Sequence, residues 1–176
     1  MKKFIVLSTA ALFLAIPAQA QSVPEKSGLN ATIGVSPSTQ DFVTEAANSD
    51  MLEIASSKLA LSKGDTKIKT FANKMIEDHT QTSSEVKSLV SSGKVKVELP
   101  MAMDKSHQSK LDKLSALTGA DFTKEYESMQ VSAHKDAVSL FERYSKGGDN
   151  ADLKAFAAKY LPHLQEHLKM AEALRQ

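Results

Sequence analysis

The chain contains no cysteine. That excludes disulfides, a cysteine nucleophile and lipid attachment to a cysteine. Glycine and proline are also scarce, with 7 and 5 residues in 176, and they fall mainly between apolar patterns. So few turn-forming residues favour long uninterrupted helices over a strand-and-turn fold. An excess of one charge is lacking as well: 22 Lys and Arg stand against 21 Asp and Glu, a formal net charge of +1. With no basic stripe to track a phosphate backbone, nucleic acid is not an expected partner. No G-x-S-x-G turn, no clear Ser–His–Asp arrangement and no solenoid repeat is found.

What is present is 41% hydrophobic residues in a chain of about one-domain length. Lys2 and Lys3 precede an almost unbroken apolar run from Phe4 to Ile16, and Ala18-Gln19-Ala20 supplies the small-x-small pattern of a signal-peptidase site. The run is shorter than the roughly 20 apolar residues a spanning helix needs. Residues 1–20 are therefore expected to be a signal peptide cleaved after Ala20, giving an exported, periplasmic chain with no stable membrane span after cleavage. Residues 21–39, rich in Ser, Gly, Pro and Thr, read as a flexible leader, and 40–176 as one helical domain.

Apolar spacing predicts helices over Gln40–Lys63, Asp65–Ser92, Asp121–Lys146 and Asn150–Leu174, with a shorter one over Asp104–Leu117. Thr39 or Asp41 suits the first N-cap, and Gly64, Gly93 and Gly147-Gly148 are stop signals. The joint at Gly64 is so short that its helices must be antiparallel neighbours. Val95, Val97 and Leu99 alternate with Lys96 and Glu98; a lone strand has no partner here, so Lys94–Met103 reads as an extended crossover. Pro162 is expected to kink the last helix. The expected fold is all-α: a ferritin-like four-helix bundle, two antiparallel helical hairpins joined by a long crossover with an extra short helix.

A helix turns about 100° per residue, which fixes the direction of each polar side chain relative to the apolar stripe. On the second helix His79 lies within about 40° of Ile68, Ala72, Met75, Val86 and Val90, while Glu77 and Asp78 point away from it. On the first, Glu53 lines up with Phe42, Ala46 and Ala60, with Ser49, Ser56 and Ser57 leaving room around it. His134 is flanked by Val138 and Phe141, nearer the edge of its stripe. His167 shares the direction of Phe156, Tyr160, Leu164, Ala171 and Leu174. Each long helix thus offers one inward titratable group: Glu53, His79, His134 and His167. Counting residues from the hairpin turns instead places His163 at the better depth, so direction favours His167 and depth favours His163.

The pairs Asp41-Phe42, Glu53-Ile54, Phe71-Ala72, Met75-Ile76 and Asp78-His79, then Leu114 to Gly119, Asp121-Phe122, Tyr126, Met129 and His134, and finally Leu161-Pro162 with His167-Leu168 and Ala171, occur in an order that resembles a known family. It is the exported bacterial group catalogued as domain of unknown function 4142, placed in the ferritin-like superfamily. The resemblance covers about Gln40 to Leu174. It implies the bundle fold and inward positions for Glu53, His79, His134 and His167, and supplies no established activity. His163 is not part of the family pattern.

One carboxylate with two or three imidazoles suits a single Zn, Cu or Fe ion. A bridged di-iron centre is disfavoured, because it needs Glu three residues before His on two helices and Ile76, Val131 and Leu164 occupy those places. Met75 and Met170 near the histidines would suit copper, though Met commonly fills gaps between helices. His163 and His167 have a chelating spacing, but no Glu follows His163 as a metalloprotease needs. Three readings follow. The first is an exported protein binding one transition-metal ion in the bundle core in a stress-related role. The second is a non-catalytic structural or interaction protein with a metal-free polar core. The third is a metal-dependent oxidase.

Overall fold

The computed structural model describes residues 34–176. The expected signal peptide and cleavage site, and the leader as far as Ile33, lie outside the described residues. Those described form five helices and no strand: α1 (Thr39–Lys63), α2 (Thr66–Ser91), α3 (Lys105–Ser115), α4 (Gly119–Gly147) and α5 (Ala151–Leu174). None is long and apolar enough to cross a membrane.

The helix ends follow local chemistry. The first N-cap is Ser38 rather than Thr39 or Asp41: its hydroxyl accepts the Asp41 N–H, and Asp41 adds a carboxylate in the first turn. Asp65, Asp104 and Asn150 cap α2, α3 and α5 in the same way. Gly64 closes α1 where a Cβ would meet Ile68 Cγ2 at 2.3 Å, so the tight joint to α2 requires glycine. Gly93, at φ +75°, supplies the left-handed residue just past α2. Pro162 sits on the exposed face of α5 and the helix runs through it. Its missing N–H removes one hydrogen bond from the helix ladder.

Contacts fix the topology. Asp50 meets His79 and Thr82 between α1 and α2. Thr39 meets Tyr144 and Ser57 meets Tyr126 between α1 and α4. Asp78 meets His167 and Glu85 meets Tyr160 between α2 and α5. Between α1 and α4 and between α2 and α5 one residue number rises as the other falls, and the short joint at Gly64 turns α2 back against α1. These neighbours are antiparallel, so α2 and α4 run the same way. The chain must therefore return along the molecule's full length between them. Residues 94–104 begin that return in extended form, and α3 completes it, so that Lys63 at the end of α1 donates to the Ser115 and Leu117 carbonyls. Val95 is buried and Val97 and Leu99 are partly buried, while Lys96 and Glu98 are exposed, as the alternation predicts. Gln40 clamps this segment through both hydrogen bonds of Glu98, donating to its carbonyl and accepting its N–H. Asn48 accepts the Asp104 N–H at 2.7 Å.

The interior divides into two apolar clusters. One gathers Phe42, Val86, Phe141, Tyr144, Phe156 and Leu164. The other gathers Leu52, Phe71, Met75, Phe122, Tyr126 and Ala171. On α2, α4 and α5 a histidine falls between the residues given to the two clusters, and that polar layer is the candidate site.

Candidate metal centre

His79 on α2, His134 on α4 and His167 on α5 converge in this layer. Their ring centroids are 5.7, 5.6 and 5.4 Å apart, nearly an equilateral triangle. Each is at most 3% exposed. Each offers one nitrogen to the others, and those atoms lie within 4.8 Å of one another. Glu53 on α1 is not part of that compact triad. It lies beside it, 1% exposed, with both carboxylate oxygens buried and unpartnered. His163 is exposed and rests against the Tyr160 ring, so the structure does not bring it to the layer. Residue counting favoured its depth, but helix rotation decides which side of α5 faces inward, and it selects His167.

The second nitrogen of every imidazole is held from outside. His79 donates Nδ1–H to Asp50 Oδ1 at 2.8 Å. His134 donates Nδ1–H to the Gln130 carbonyl at 2.9 Å. His167 donates Nε2–H to Asp78 Oδ2 at 2.7 Å. A carbonyl or an ionised carboxylate can only accept, so these bonds assign the tautomers. The inward atoms are then His79 Nε2, His134 Nε2 and His167 Nδ1, all buried and without a hydrogen-bond partner. The layer aims three imidazole lone pairs into an interior that also holds the unpartnered Glu53 carboxylate, and supplies no proton donor to any of them. Buried acceptors ordinarily find donors.

The outer carboxylates are themselves anchored. Asp50 Oδ2 accepts from the Thr82 and Ser83 hydroxyls at 2.8 and 3.0 Å. Asp78 is held by Lys74, one turn earlier on α2, at 2.7 Å. Sequence reasoning missed both. Asp50 and Asp78 sit at the seams of α2 with α1 and α5, off the core stripe, and their partners depend on which helices are neighbours. The expectation that Asp78 points away from His79 is met: it turns to α5 instead. A faint signal existed in the three-residue spacing from Asp50 to Glu53, which keeps both carboxylates on one side of α1.

Electrostatics separate the three rings. Burial opposes charge on His79, but the Asp50 hydrogen bond and the charges of Asp50, Glu53 and Asp78 outweigh it and raise its pKa. Burial lowers that of His134 despite Glu53. Burial, then the charges of His79 and His134, push His167 down to about 4 against the pull of Asp78. Burial and the Glu53 charge raise the Tyr126 phenol, whose oxygen pairs with Ser57 at 3.0 Å. Such a layer has what a cation needs, namely imidazoles held in place from outside, two of them with pKa values below the ordinary one, and a carboxylate beside them.

No curated protein and no solved structure matches the chain. One family model does, over residues 24–174, and the chain therefore belongs to the family described as Domain of unknown function (DUF4142).

Proposed function

We propose that the protein is an exported, ferritin-like four-helix bundle that holds one divalent transition-metal ion in its core. The ligands are His79 Nε2, His134 Nε2, His167 Nδ1 and the Glu53 carboxylate. The observation that carries this reading is the convergence of buried acceptors with no donor among them. A cation satisfies all of them at once. The outer acceptors on Asp50, Gln130 and Asp78 supply the orientation that metal-bound histidines ordinarily have.

Spacing supports it. A tetrahedral ion with Zn–N of about 2.1 Å holds its nitrogens about 3.4 Å apart. The triad, within 4.8 Å, reaches that by each ring moving less than about 1 Å. The donor set suits Zn²⁺, Fe²⁺ or Cu²⁺ and is too poor in oxygen for Ca²⁺ or Mg²⁺. Three imidazoles and one carboxylate fill a tetrahedral shell, as in sites that hold an ion. Catalytic zinc centres keep a position open. Ion holding is therefore favoured over the oxidase reading.

Elemental analysis of untagged protein tests it. One equivalent of metal, removed by chelator and restored with a rise in melting temperature, is expected. Substoichiometric metal, with no thermal response to Zn²⁺, Cu²⁺ or Fe²⁺, favours a metal-free polar core instead.

A further inference from the structure

All four proposed ligands are sealed from water, each at most 3% exposed. An ion must therefore pass one of the groups that hold them from outside, and those groups differ. The Gln130 acceptor is a backbone carbonyl within α4. Asp50 is committed on both oxygens, to His79, Thr82 and Ser83. Asp78 faces both ways. Its side chain is 17% exposed; Oδ2 accepts from buried His167, and Lys74, whose own side chain is 43% exposed, caps it from the solvent side. Glu77 and Glu166 add their charges around that ammonium. Lys74 thus sits where a cation arriving from water first meets a carboxylate tied to the centre. The His167 ring spans the wall behind it, with one nitrogen on Asp78 and the other unpartnered inside.

We propose that the Lys74–Asp78 ion pair is the gate through which the metal ion reaches and leaves the buried centre. This rests on the metal-binding reading above. The incoming ion displaces the Lys74 ammonium from Asp78, is held there under the charges of Glu77 and Glu166, and moves inward as the His167 ring rotates. Lys74 then returns, and Asp78 again accepts the His167 N–H that aims Nδ1 at the ion. A point charge on a flexible stem suits such exchange, and a solvent-side ion pair opens easily.

Stopped-flow absorbance with Co²⁺ on the untagged chain tests the gate, with release followed by mixing the loaded protein with excess chelator. Lys74→Met keeps most of the stem and removes the charge. It is expected to speed loading and release together, by about two- to fivefold each as for loss of an exposed pair, leaving Kd nearly unchanged. Lys74→Arg, whose fork grips a carboxylate in two places, restores slow exchange. Unchanged rates for Lys74→Met in a folded variant overturn the gate. So does faster loading with slower release, which is what removal of a repelling charge alone produces. If the wild-type chain develops no Co²⁺ band, the metal centre falls and the gate with it. Normal wild-type loading with unaltered Lys74→Met kinetics removes the gate alone.

Discussion

The aromatic end of the interior and the histidine layer are equally buried but differ in how their polar atoms are served. At the aromatic end Phe42 stacks on Tyr144 at 4.1 Å and meets Phe141 edge-on at 5.0 Å. The phenols there reach outward to partners: Tyr144 to Thr39 and Asp149, and Tyr160 to Glu85 at 2.7 Å. Burial and hydrogen bonding agree. In the histidine layer they conflict, because three imidazole nitrogens and two carboxylate oxygens are buried with no donor. Each such group costs roughly 1–3 kcal/mol. The first region specifies the fold; the second strains the metal-free chain.

The largest expected effect lies at the aromatic end. Phe42→Ala is expected to destabilise the protein by about 3–5 kcal/mol in urea titrations, by the same amount with and without Zn²⁺, because a buried phenylalanine is lost far from the ligands. A loss that depends on zinc would show the two regions to be coupled.

Next comes the ion itself. At a free concentration one hundred times Kd, Zn²⁺ is expected to stabilise the wild-type chain by about 2.7 kcal/mol. Glu53→Gln is expected to abolish that response while raising the melting temperature of the metal-free protein. Its amide can donate to lone pairs that now have no donor, and a buried carboxylate is removed. If the metal-free variant melts lower than wild type, the carboxylate already has a donor and the contrast between the regions disappears.

His79→Leu is expected to cost the metal-free protein about 1–3 kcal/mol, because Asp50 Oδ1 loses its donor while Thr82 and Ser83 still hold Oδ2. The measurement is urea denaturation in chelator. A neutral or stabilising outcome would mean that the strain at Nε2 exceeds the value of the Asp50 bond.

The difference between the regions also explains what the sequence could reveal. Helix positions and the inward direction of Glu53, His79, His134 and His167 need only a rotation of about 100° per residue, so both were legible from periodicity. Depth was not: counting from the hairpin turns assumes straight, level rods, and that assumption favoured His163, which the structure leaves exposed. The seams were least legible. Asp50 and Asp78 acquire their meaning from an adjacent helix, and nothing within α1 or α2 says which helix that is. Ser38 was missed as a cap because hydroxyls at neighbouring positions compete for the same role and only backbone geometry chooses.

The smallest expected effect is on pH dependence, and it separates the regions without removing a core side chain. His134 and His167 have folded pKa values below the ordinary 6.5, about 4 for His167. Between those values and 6.5 the unfolded chain binds protons that the folded chain refuses. The stability these two histidines contribute is therefore present above 6.5 and lost as pH falls toward 4. His79 is raised, so its contribution is complete below 6.5 and is lost as pH climbs through its folded value. Together they give the metal-free protein a maximum in melting temperature near pH 6.5. Phe42→Ala should lower that dome without changing its shape, whereas His167→Gln should flatten its acid side. Imidazole resonances followed by NMR in chelator should show His167 titrating near pH 4 and His79 above 6.5. Were His167 instead to titrate near 6.5, its ring would be reaching water, and the histidine layer would be as well served as the aromatic end.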